Sequence, residues 1–113
     1  MNAHQRIVTE DELEKALDFL RDNAKALGVA KARVVRAGHM LKHTEALEFK
    51  KSDATSNDRR QADARTSDAY LEAINEDAIA AGEYETMRAL REAAALKIES
   101  WRSEQATYRA LKI

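Results

Sequence analysis

From Leu13 onward, apolar or small residues recur at Leu17, Leu20, Ala24, Leu27, Val34 and Leu41. Steps of three, four or seven put these positions on one face of an α-helix. Lys31 interrupts the stripe. Upstream, Thr9-Glu10-Asp11-Glu12 has the form of a capping box, in which the Thr9 hydroxyl accepts from the Glu12 backbone N–H and the acids favour the positive helix end. The pattern predicts a first helix over about residues 9–50. It runs through Gly28 and Gly38, each of which costs about 1 kcal/mol against Ala but has no Pro or turn cluster beside it.

The one strong punctuation is Ser52-Asp53-Ala54-Thr55-Ser56-Asn57-Asp58, whose small polar side chains hydrogen-bond their own backbone and compete with helix. A polar turn is expected over about residues 52–57. Beyond it, apolar residues return at Tyr70, Ile74, Ala78, Ala81, Tyr84, Met87, Leu90, Ala94, Ile98, Trp101 and Tyr108, again at helical steps. They predict a second helix over about residues 58–110, roughly 80 Å long at 1.5 Å per residue. That exceeds a compact globule of this chain length.

The expectation is therefore an all-α fold, a single coiled-coil-like antiparallel helical hairpin spanning residues 1–113. A fold-back near Ser52 to Thr55 sets residue i beside residue 107 minus i. It places Arg21, Lys25, Lys31, Arg33, Arg36 and Lys42 opposite Asp68, Glu72, Glu76, Asp77, Glu83 and Glu85. The acidic start of the first helix falls opposite Arg88, Arg91, Lys97 and Arg102. Each exposed pair is worth only ~0 to 1 kcal/mol, but the blocks help set register. Phe19, Met40, Leu47, Phe49, Leu71, Ile79, Leu96 and Leu111 fall partly off the stripes, more apolar surface than one seam hides. This favours a homodimer with a four-helix arrangement, two-fold dimers being the commonest oligomers.

Composition narrows the class. The 113 residues include no Pro and three Gly, with 35% charged and 5% aromatic residues, a bias toward long helices rather than an aromatic core. Nineteen Lys and Arg against twenty Asp and Glu leave a net charge of -1, so no global field draws the protein to nucleic acid or anionic lipid. Without Cys there is no disulfide framework and no thiolate metal site, which fits a reducing cytoplasm. Met1 to Glu12 lacks an apolar signal-peptide core, and nowhere do eighteen apolar residues run together. The expected setting is cytoplasmic, with no membrane partner.

Candidate chemistry is sparse. His39 and His43 are four apart, as two helical metal ligands would be, but no Glu stands in a metalloprotease position between them and no third ligand is implied. They read as surface histidines, and no cofactor or metal is expected. Glu76 with Asp77, and Glu83 with Glu85, point in different directions on a helix and lack an apolar pocket to raise a pKa. No glycine elbow accompanies any Ser, so nothing supports nucleophilic catalysis. The chain does not read as an enzyme. Arg21, Lys25, Arg36, His39, His43 and Lys50 align within a narrow stripe that could track phosphates, and Arg21, Lys25, Arg36 and Lys50 are the candidate nucleic-acid contacts. The acidic second helix and the absence of interleaved aromatics weigh against that use. Arg59, Arg60 and Arg65 form a smaller cluster that reads as a solvated helix start. Trp101 reads first as a core residue and second as a binding hot spot; with Tyr84 and Tyr108 it forms the candidate protein interface.

The run Ala69-Tyr70-Leu71-Glu72-Ala73, then Glu83-Tyr84-Glu85, Arg88-Ala89-Leu90-Arg91-Glu92-Ala93-Ala94 and Ile98-Glu99-Ser100-Trp101-Arg102-Ser103, resembles a loose group of small all-helical proteins of tailed phages and prophages. The likeness is clearest over about residues 67–105. It implies an accessory role in phage DNA metabolism, in the host cytoplasm, and carries over no binding or catalytic residue.

The leading expectation is a non-enzymatic interaction protein that dimerises and binds another protein, linked to phage DNA replication or recombination. Two alternatives stand beside it. One is a small inhibitor of a host defence system, of the anti-CRISPR or anti-restriction type. The other is a DNA-binding protein using the basic stripe of the first helix.

Overall fold

The structure is a computed structural model that describes residues 7–112; the signal-peptide reading of residues 1–12 lies partly outside them. The described chain is all-α, a helical hairpin of α1 (Glu10–Lys51), α2 (Asn57–Arg65) and α3 (Asp68–Leu111). α1 opens with the Thr9 half of the capping box. The Thr9 Oγ1 accepts from the Glu12 N–H at 3.1 Å, and the Leu13 N–H donates to the Thr9 carbonyl at 3.0 Å. Glu10, Asp11 and Glu12 fill the first turn and Lys50 and Lys51 the last, each charge matched to its end of the helix dipole. The helix continues through Gly28 and Gly38.

The second predicted helix is broken. Its first part, α2, is a separate nine-residue helix, and Thr66 and Ser67 divide it from α3. The physical cause is side-chain competition for the backbone. The Thr66 Oγ1 donates to the Ala62 carbonyl at 2.8 Å, and the Ser67 Oγ donates to the Ala64 carbonyl at 2.7 Å. The same Ser67 oxygen accepts from the Tyr70 N–H at 3.2 Å, so one hydroxyl closes α2 and opens α3. At the other end, Ser56 caps α2 by accepting from the Arg59 N–H at 3.3 Å.

α2 is fastened back onto α1 and the turn. Ala64 is fully buried. The Ser52 hydroxyl donates to Asp63 at 2.6 Å, Arg60 donates to the Ala54 carbonyl at 2.8 Å and lies over the Phe49 ring, and Arg65 pairs with Glu45 at 3.1 Å. Arg60 and Arg65 are thus consumed by the fold.

Packing divides the chain into two compact units, Met1–Leu27 with Met87–Ile113, and Gly28–Thr86. A helix pair buries side chains only level by level and gathers no common core. In Gly28–Thr86, Ala30 and Ala80 are buried, while Val34, Ala37, Leu41 and Thr44 of α1 and Tyr70, Ala73, Asp77 and Tyr84 of α3 are partly buried. Both sets follow alternating steps of three and four, the heptad spacing of a coiled-coil seam. In the other unit the same rule picks out Ala16 and Ala94 as buried, with Leu13, Leu20 and Leu27 and with Met87, Ile98, Trp101 and Tyr108 partly buried.

The seam departs from the expected stripes in a regular way. Leu17, Ile74 and Leu90, expected inside, are exposed, and alanines neighbouring them or a turn away take the seam positions. Small residues let the backbones approach, and a leucine in that place would hold them apart. The register also differs: Arg33 pairs with Glu83 at 2.9 Å and Lys31 lies over Tyr84, so residue i meets a residue near 116 minus i, not 107 minus i. The offset is about the length of α2, which sequence reasoning had counted as part of the second helix.

Candidate functional site

Within Gly28–Thr86, α1 and α3 flank an open groove of about 720 Å³. Its floor is made of small seam residues, Ala37, Ala73 and Ala80. Met40 and Ile79 stand on it, 43% and 56% exposed, two of the twelve large apolar side chains left exposed among the described residues, and burying each would contribute about 1.5 to 3 kcal/mol. The α1 wall carries Arg33 and Arg36, and the α3 wall carries Glu72, Glu76 and Glu83. Arg33 is satisfied by Glu83. Arg36, Glu72 and Glu76 have no ion-pair partner among the described residues. The charge blocks read from the sequence therefore do face one another here, but only one end of the groove is closed by an ion pair. Beside it, the Lys31 ammonium sits 5.0 Å from the Tyr84 ring centroid, a cation–π contact that holds both side chains in place.

The unit Met1–Leu27 with Met87–Ile113 has a smaller groove of about 640 Å³, lined by Phe19, Leu20, Leu27, Met87 and Arg91 among others. Asn23 sits at a seam position and donates its amide to the Phe19 carbonyl at 3.0 Å, so this polar seam residue is satisfied locally. In the same unit, Glu104 Oε1 accepts from the Ile7 and Val8 N–H groups at 2.7 and 3.2 Å, and Val8 is buried. This carboxylate fastens the segment that leads into α1.

The residues of the basic stripe differ in their surroundings. Arg21 is held by Asp22 at 2.9 Å and Asp18 at 3.2 Å. The hydrogen bond to Asp22, then the Asp22 and Asp18 charges, push Arg21 above its ordinary pKa, and the same hydrogen bond holds Asp22 below the usual carboxylate range. Arg36 is exposed and lines the groove whose other wall carries Glu72, Glu76 and Glu83. Lys25, Lys50, His39 and His43 are exposed. Among the described residues, no three His, Asp or Glu side chains are grouped so as to hold a metal ion. Of the proposed interface aromatics, Tyr84, Trp101 and Tyr108 are all partly buried at seam spacing, and each has an interaction partner.

Sequence reasoning had marked Met40 and Ile79 only as surplus apolar residues and had not joined them to Arg36, Glu72 and Glu76. The signal that could have done so is the recurrence of alanine at Ala30, Ala37, Ala73, Ala80 and Ala94 in sevens, which fixes the seam and hence its flank.

No family model, no curated protein and no solved structure matches this chain. No helix among the described residues is long and apolar enough to cross a membrane.

Proposed function

We propose that this protein is a non-enzymatic interaction module whose working surface is the groove between α1 and α3 in Gly28–Thr86. The observation that carries this reading is the exposure of Met40 and Ile79 on a small-residue floor between charged walls. Apolar side chains rimmed by polar groups mark a surface that another protein covers. The ion pairs of Arg21 with Asp18 and Asp22, and the acids facing Arg36, support protein binding over phosphate binding as the use of the first helix. The resemblance over residues 67–105 supports an accessory role in phage DNA replication or recombination, and inhibition of a host defence complex is the form this role takes if the bound protein belongs to the host.

The test is site-specific photo-crosslinking in cells that express the chain. A photoreactive residue at Ile79 or Met40 is expected to trap a discrete adduct, whereas one at exposed Asn75, outside the groove, is not. Equal labelling at all three positions, or none at any, would refute the groove as the working surface.

A further inference from the structure

We infer that the occupant of this groove is a second copy of the chain, docked groove to groove about a two-fold axis parallel to the helices, with α1 of each copy over α3 of the other. The inference rests on the interaction-module reading and names its partner. The argument is charge self-complementarity. The α1 wall is basic, through Arg33 and Arg36, and the α3 wall is acidic, through Glu72 and Glu76. A two-fold axis in the contact plane can lie across the helices or along them. Across, it stacks α1 on α1 and sets basic against basic and acid against acid. Along, it sets each basic wall against an acidic one and keeps residues at their own level along the helix. The Arg33–Glu83 pair places Arg36 a turn from Glu76. Arg36 of one copy then reaches Glu76 of the other, and these are groups that have no ion-pair partner among the described residues.

Shape agrees with charge. The alanine floor admits a ridge, and the ridge available in the second copy is Met40 with Ile79, the side chains left exposed in the first. The resulting contact is isologous, and every helix in it lies antiparallel to its neighbours, the arrangement of an up-down four-helix bundle.

Sedimentation equilibrium of the full chain tests this, with circular dichroism confirming that each variant is folded. The parent is expected at twice its 12.7 kDa chain mass. Arg36→Glu and Glu76→Arg should each weaken dimerisation by about tenfold or more, since each places like charges together twice across the interface. Mixing the two variants should restore dimers, because every such contact then joins opposite charges. A monomeric parent, a dimer insensitive to both changes, or no recovery on mixing would overturn the inference. If the parent is monomeric and the Ile79 crosslink traps a different protein, self-docking falls while the interaction-module reading stands. If there is neither dimer nor adduct, both fall.

Discussion

Replacing Gly28, Gly38 and Gly82 together by alanine should raise the stability of this protein substantially. All three lie inside helices, none has a positive φ, and a Cβ built on any of them meets nothing within 4 Å. The added methyl therefore carries no steric cost, and the change acts through helix propensity and the entropy of the unfolded chain. Each site should contribute about 0.8 to 1.0 kcal/mol, and independent sites sum to about 2.4 to 3 kcal/mol. With an unfolding entropy of about 2.1 cal/mol/K per residue, the chain has about 0.24 kcal/mol/K, which converts the gain into a rise of about 10 to 12 °C in Tm. Thermal and urea melts followed by circular dichroism would measure it, one substitution at a time and then combined. A fall in Tm at any single position would refute the reasoning there, because it would mean that the glycine serves a close approach or a non-helical backbone.

Other substitutions probe the seam, the chain entry and the surface charges. Ala16→Leu should cost about 1 to 3 kcal/mol by overpacking a buried site, while Leu17→Ala, at a position 49% exposed, should cost less than about 1 kcal/mol; chemical melts would show the order reversed if the leucine faced the seam. Glu104→Ala should cost about 1 to 2 kcal/mol and speed hydrogen exchange at the Ile7 and Val8 amides, which its carboxylate now accepts; unchanged exchange would remove that role. Asp22 should titrate below the usual carboxylate range by NMR and return to that range in Arg21→Ala. Because its folded pKa is depressed, its small stabilising contribution is present above the usual carboxylate range and is lost as pH falls through the lowered value.

The sequence made the helices legible because their signals are local. Thr9 and Glu12 announce the start of α1, and the polar run from Ser52 announces its end. The break at Thr66 and Ser67 was written in the same small polar residue types but sits between two helix-compatible stretches, and only the double use of the Ser67 hydroxyl makes it a boundary. Reading through it lengthened the second helix by the whole of α2 and shifted the register, so the opposing charge blocks were recognised while Arg33 was not matched to Glu83. The seam was misplaced because hydrophobicity scales favour Leu17 over Ala16 and Ile74 over Ala73, whereas close helix approach favours the alanines. The groove follows from the seam, so it could not be read until the seam was right.

The hairpin seam underlies the groove and everything proposed for it, and engineered cysteines test it directly in a chain that has none of its own. Ala37 and Asp77 occupy matching steps of the two seam series, 30-34-37 in α1 and 84-80-77 in α3. With both replaced by Cys, mild oxidation of dilute protein should form an intramolecular disulfide, read by mass as two thiols protected from alkylation. The pair Ala37→Cys with Tyr70→Cys, which the shorter fold-back would bring together, should remain reactive. A disulfide in the second pair and free thiols in the first would contradict the seam and its register.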